Sequence, residues 1–176
     1  MIDNDSILLI IDMQNDYCSC DGFYAKRDGG SFSMNIVADR LIKFYNEVIN
    51  NNVKTVCFSI LYEDGDNPCL KGTWGAEYYG ICPQLMFYKT EFSCFSNEEF
   101  CQYLKENEIK KIYICGFQTT FCVNETFKDA VRRGFEAYLI ENLIGEREKH
   151  KSKIPSVLTY AKNNGKIIKS SDIIKP

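Results

Sequence analysis

The chain has 176 residues, of which 45% are hydrophobic, 14% aromatic and 26% charged, with a formal net charge of −3. That length supports one domain with a proper core and is short for two, and the composition excludes disorder and collagen-like repeats. With no basic field to hold a phosphate backbone, nucleic acid is not an expected partner.

In chain order, Ile7–Ile11 is a continuous apolar run that ends at Asp12, the pattern of a strand buried on both faces. From about Phe32 to Asn50 the apolar residues Val37, Leu41, Phe44, Val48 and Ile49 follow a helical period, stopped by Asn50-Asn51-Asn52. Val53–Leu61 is β-branched and apolar, a second strand. Tyr62–Gln84 carries four glycines and two prolines and reads as a long excursion, the kind of segment that tends to be functional. Leu85–Tyr88 is a short apolar segment leading into Lys89. Ser96-Asn97-Glu98-Glu99 has capping-box spacing and opens a helix to about Asn107. Lys111–Gly116 is a strand, Phe121–Arg133 a helix closed by Gly134, and Phe135–Ile140 the next strand. The charged stretch Glu146–Lys153 leads into a helix ending at Gly165, with Pro155 kinking it or sitting in a first turn, and Lys166–Ile168 is a last strand. No repeat or linker divides the chain, so a single domain over 1–176 is expected. Strands alternating with helices predict an α/β fold with a mostly parallel sheet covered on both faces.

The cysteine and histidine counts narrow the chemistry. Nine cysteines are an odd set that one chain cannot fully pair, and His150 is the lone histidine. Met1-Ile-Asp-Asn-Asp-Ser lacks the basic and apolar regions of a secretory signal, and Ile7–Ile11 is far too short to cross a bilayer. The expectation is a cytoplasmic protein with free thiols and no membrane partner. One histidine rules out zinc sites built on two or three, and Cys18-Ser-Cys20 is a poor half-site, so neither a metal nor another cofactor is expected.

In open parallel sheets, sites lie beyond the carboxyl ends of the strands. There the sequence offers Asp12 after the first strand, Lys89 after the short third segment, and Cys122 after the turn Phe117-Gln118-Thr119-Thr120. A free thiol is only roughly 3% thiolate at pH 7. A helix N-terminus and the Lys89 charge are expected to lower the Cys122 pKa. Asp12 is placed to accept the thiol proton and later return it to a departing amine. Taken singly, each residue also has an ordinary reading: a turn-capping Asp, a solvated Lys, a small buried Cys.

Four blocks then carry a resemblance to the isochorismatase-like cysteine hydrolases. They are Ile10-Ile11-Asp12-Met13-Gln14-Asn15-Asp16-Tyr17, Lys71-Gly72-Thr73-Trp74-Gly75-Ala76-Glu77, Lys89-Thr90-Glu91-Phe92-Ser93-Cys94-Phe95 and Gly116-Phe117-Gln118-Thr119-Thr120-Phe121-Cys122-Val123. The resemblance implies a three-layer α/β/α sandwich with a six-stranded sheet ordered 3-2-1-4-5-6. It implies a catalytic triad of Cys122, Asp12 and Lys89, a cis peptide at Phe117–Gln118, and an oxyanion hole from the backbone N–H groups of Gln118 and Cys122. It also implies a homo-oligomer and a small amide or carbamoyl compound as substrate. Tyr17, Trp74 and Phe95 lie in the blocks either as substrate-binding walls or as core aromatics. Family members that hydrolyse nicotinamide resemble one another in an Asp-x-His metal motif after the second strand. Here Ser59-Ile60-Leu61-Tyr62-Glu63-Asp64 has no histidine, which argues against a metal-dependent nicotinamidase. Thr120 stands where the family commonly has Asp, while Glu141 keeps the charge at another such position, and the loop Cys18–Phe32 matches nothing assigned. Two rivals stay open: an isochorismatase-type vinyl-ether hydrolase, and a non-catalytic binding or redox protein that keeps the triad as a relic.

Overall fold

The computed structural model describes residues 3–28 and 32–174. Six strands, β1 (Ser6–Ile11), β2 (Thr55–Ile60), β3 (Met86–Lys89), β4 (Lys111–Phe117), β5 (Glu136–Gly145) and β6 (Lys166–Ile168), form one sheet. Its order is β3-β2-β1-β4-β5-β6, every neighbouring pair is parallel, and the expected topology is present. All six residues of β1 are buried, as its unbroken apolar run requires of a central strand. The edge strand β3 is mostly half-buried or exposed and buries only its last residue, Lys89.

Helices complete an α/β/α sandwich: α1 (Asn15–Cys18), α2 (Phe23–Arg27), α3 (Phe32–Asn50), α4 (Glu98–Glu106), α5 (Asn124–Arg132) and α6 (Ile154–Asn164). The long helix α3 packs against β4 and β5, while α5 and α6 pack on β5 and on each other. Helix α4 seats Phe100 edge-on against Phe58 of β2, with ring centroids 4.8 Å apart. No helix among the described residues is long and apolar enough to cross a membrane. All nine cysteines are free thiols.

Three local expectations are corrected and two open points are resolved. The cap of α4 is Asn97, whose Oδ1 accepts from the Phe100 N–H at 2.7 Å; the Ser96 hydroxyl donates instead to the Ser93 carbonyl. Helix α5 begins at Asn124, and Cys122 sits before it in a single π-type turn, Thr119–Val123, so it is not in the first turn of an α-helix. Strand β5 runs five residues past Ile140 to Gly145, because its register with β4 shifts between Ile114 and Gly116 and pairing resumes at Gly116↔Ile144. Pro155 lies in the first turn of α6, where its missing N–H costs nothing. The unassigned loop from Cys18 onward contains α2, and its residues 29–31 lie outside the described residues.

Candidate active site

The three strand ends converge as their order demands, since β1 lies between β2 and β4 and β3 follows β2. Asp12 leaves β1 in a left-handed conformation, φ 51°, with its N–H donating to the Phe58 carbonyl at 2.9 Å. Lys89 closes β3, in register with Ile60. β4 approaches β1 through Gly116, which has φ 116°; a Cβ there would collide with the Ile11 carbonyl and lie 2.6 Å from the Ile11 nitrogen. The chain then passes through a cis peptide at Phe117–Gln118 into the turn that carries Cys122.

Lys89 joins the other two side chains. Its Nζ donates to Asp12 Oδ2 at 2.8 Å, to Cys122 Sγ at 3.2 Å and to the Glu91 carbonyl at 3.3 Å. The Lys89 and Asp12 side chains are fully buried, while Asp12 Oδ1 has no hydrogen-bond partner among the described residues. Burial pushes the Asp12 carboxyl above its ordinary value, against the opposing pull of the Lys89 charge and of hydrogen bonds with Cys122 and Lys89. Burial works to lower the Lys89 pKa, but the Asp12 carboxylate 2.8 Å away outweighs it and holds the ammonium protonated beyond its usual range. The Cys122 thiol is pushed well up, first by burial and then by Asp12, with Lys89 only partly offsetting them. This corrects the expectation of a depressed thiol: with no α-helix terminus beneath it and little solvent around it, the resting sulfur is S–H. Among the described residues, the backbone N–H of Gln118, which follows β4, donates no hydrogen bond outside the regular elements.

Residues of the first block that carry no reacting atom clamp the surrounding loops. Gln14 Nε2 donates to the carbonyls of Ile60 (3.0 Å) and Ala76 (2.9 Å), and its Oε1 accepts from the Ile60 N–H at 3.0 Å. Asn15 Nδ2 donates to the Trp74 carbonyl at 2.7 Å. Asp16 accepts from the N–H groups of Phe23 (3.0 Å) and Cys69 (2.6 Å), and Gly75 packs so closely on that carboxylate that a Cβ would collide. The Lys-Gly-Thr-Trp-Gly-Ala-Glu block is therefore bound to the block that ends in Tyr17.

The carboxylate that stands against Thr120 comes from a residue that sequence reasoning passed over. Glu141 is exposed, whereas buried Glu146 accepts from both the N–H and the hydroxyl of Thr120. By sequence alone Glu146 opens the charged stretch before α6; the extension of β5 to Gly145 brings it here.

Cys122 is 3% exposed and opens into a cavity of about 260 Å³ lined by Tyr17, Tyr62, Phe121, Gln118 and Arg147, among others. Of the three motif aromatics, Tyr17 lines this cavity and Trp74 and Phe95 do not. Trp74 is half-exposed, and its block contributes through backbone contacts. Phe95 is buried, its ring 5.7 Å from those of Phe100 and Phe135 and 5.0 Å beneath the Arg133 guanidinium. A larger cavity of about 1010 Å³ runs along β3 past Met86, Tyr88 and Lys89, but neither Asp12 nor Cys122 lines it.

Comparison with known proteins agrees with this architecture. Residues 6–170 match the family model of the isochorismatase domain. The chain belongs to the isochorismatase family. It is 26% identical over 149 residues to an uncharacterized isochorismatase family protein, PncA, of Bacillus subtilis (strain 168), covering 73% of this chain and 79% of that protein. Its fold is similar to that of an isochorismatase-like hydrolase from Alkaliphilus metalliredigens, with a TM-score of 0.83 at 21% identity over 97% of this chain and 96% of the other. It is also similar to a nicotinamidase, PncA, from Bacillus subtilis, with a TM-score of 0.79 at 19% identity over 94% and 99%.

The metal site of the nicotinamide-hydrolysing branch does not fit this family member. At the end of β2, Ser59 and Tyr62 offer hydroxyls, and Glu63 is paired at the surface with Lys71 at 3.1 Å. Among the described residues, no three His, Cys, Asp or Glu side chains are grouped to hold a metal ion.

Proposed function

We propose that this chain is a cysteine hydrolase that cleaves the C–N bond of a small amide or carbamoyl compound through a thioester. The observation that carries the reading is the Lys89 ammonium held between Asp12 at 2.8 Å and Cys122 at 3.2 Å, with Cys122 lining a small cavity. An acid–base group, a fixed positive charge and a nucleophile are what covalent acyl transfer needs. The fold shared with a nicotinamidase supports an amide as substrate.

The resting thiol is neutral, so the reaction starts with proton transfer from Cys122 Sγ to Asp12. A carboxylate held above its ordinary pKa is the stronger base for that transfer. Lys89 offsets the negative charge as it moves between oxygen and sulfur. The thiolate attacks the carbonyl carbon, and the N–H groups of Gln118 and Cys122 hold the resulting oxyanion. Collapse breaks the C–N bond, and the amine leaves with the proton from Asp12. Water, losing a proton to Asp12, then attacks the thioester, and the acid departs as that proton returns to the sulfur. Cys122→Ala is expected to lower turnover by about 10³-fold or more, with the fold retained. Wild-type turnover of an authentic substrate by that variant overturns the mechanism.

The protein is further expected to assemble as a homo-oligomer, with exposed Trp74, Met86 and Tyr88 as the apolar surface on offer. Light scattering at working concentration tests this, and a monomeric mass removes it.

A further inference from the structure

The cavity over Cys122 carries a charge pattern that the reaction itself does not use. Of its charged lining residues, Arg27, Arg147 and Lys149 are cations and Asp66 is the one carboxylate. Arg147 is unlike the other two because it is buried. Its Nε and Nη2 grip the Asp28 carboxylate, both at 2.6 Å, and its guanidinium lies 3.9 Å over the Tyr24 ring. These contacts fix the plane of the fork. The remaining nitrogen, Nη1, makes no hydrogen bond among the described residues and keeps access to solvent.

Gln118 adds a second donor. Its side chain is 5% exposed and lines the same cavity, and its Nε2 has no hydrogen-bond partner among the described residues. Buried amide donors are ordinarily satisfied, so this one points to a ligand acceptor. Charge balance favours an anion. Asp28 offsets one of the three cations and exposed Asp66 a second, which leaves one positive charge in excess at the mouth. The Glu146 carboxylate does not line the cavity and is turned onto Thr120 behind it.

We propose that the site selects amides or ureido compounds bearing a carboxylate distal to the scissile carbonyl, with Arg147 and the Gln118 side-chain amide as its anchor. Arg27 and Lys149, both exposed, draw the anion to the mouth. This specificity rests on the hydrolase reading above, and it assigns Gln118 a side-chain role besides its backbone one. The walls Tyr17, Tyr62 and Phe121 suit the short carbon skeleton between the two ends.

The test compares succinamate with succinamide, molecules of near-equal shape of which only the first is an anion, measuring ammonia release and the intact mass of the protein. Hydrolysis of succinamate yields succinate and ammonium. The expected ratio of kcat/KM, succinamate over succinamide, is about 100 or more in the wild type and falls toward 1 in Arg147→Gln. The ratio is also expected to shrink several-fold in Arg27→Gln/Lys149→Gln, which alters only exposed side chains and covers the case in which Arg147→Gln fails to fold. Equal turnover of both compounds, with the acyl group on Cys122, overturns the anion preference and leaves the hydrolase reading standing. A ratio unmoved by either set of substitutions also overturns the anchor. No turnover and no acyl adduct with either compound counts against the hydrolase reading, and the anion preference falls with it.

Discussion

The carboxylate of Glu146 accepts two hydrogen bonds from Thr120, one from its backbone N–H and one from its hydroxyl, each at 2.7 Å. Thr120 lies in the turn that presents Cys122, two residues before the sulfur. A negative charge beside that turn therefore comes from the far end of β5, and Thr120 is the donor that receives it.

Restoring the more common family residue here is expected to do harm. Thr120→Asp sets a carboxylate against buried Glu146, and like charges at contact cannot both stay ionised. At pH 7 kcat/KM is expected to fall at least about tenfold, and Glu146→Gln in the same chain is expected to recover most of the loss. Steady-state kinetics of the single and double variants decide it; equal losses in both defeat the idea.

The ion pair at the floor of the site invites a double-mutant cycle. Lys89→Met alone, or Asp12→Asn alone, leaves a buried group without its partner and is expected to cost about 3–5 kcal/mol. The double variant Asp12→Asn/Lys89→Met is expected to cost clearly less than the sum, although it remains inactive. Chemical denaturation of the four proteins supplies the coupling energy, and simple additivity would show that the pair is not linked.

Activity and stability should respond to acid with opposite signs at Asp12. Its folded pKa is raised above 3.8 by burial, so the base is lost, and kcat/KM falls, on descending through a value above 3.8. The same raised pKa means that its contribution to stability is fully present below the unfolded value and is lost as pH rises through the folded one. Lys89, also raised, loses its contribution only above the ordinary lysine range, so the ammonium persists across neutral pH. A pH–rate profile whose acidic limb falls at or below 3.8 contradicts this assignment.

Gln14 is expected to matter for the loops and not for the chemical step. Gln14→Leu keeps the size of the side chain but strands the Ile60 N–H and the Ile60 and Ala76 carbonyls. A loss of about 2–4 kcal/mol is expected, at roughly 1 kcal/mol per group left unsatisfied. Faster hydrogen exchange should appear in the Tyr62–Gln84 excursion first. Unchanged protection there would show that the clamp is dispensable.

What could be read from the sequence was whatever the chain encodes locally. β1, β2 and β4 were legible because strands buried on both faces must be apolar throughout. Asp12, Lys89 and Cys122 followed because each is the residue at, or a few past, a strand end. The short helices α1 and α2 escaped because what orients them is distant: Asp16 reaches Cys69, 53 residues on, and Asp28 reaches Arg147, 119 residues on. Glu146 escaped for a related reason, since a register shift in β5 decides where it points. The thiol's raised pKa escaped because nearby charges can be listed from a sequence, whereas burial depends on everything packed around the sulfur.

Gly116 and Ile11 stand opposite one another on adjacent strands, with no room between them for a methyl group. The separation of acid and nucleophile is thus gauged by the side chain missing from Gly116, six residues before Cys122, where it faces Ile11, one residue before Asp12. A methyl at this position would act as a shim, spreading two rails that each carry half of a reactive pair. Arg27 and Lys149, by contrast, stand exposed at the cavity mouth, where residues can be exchanged without moving the rails. The spacing of the reactive pair thus depends on one close backbone contact that such exchanges leave untouched.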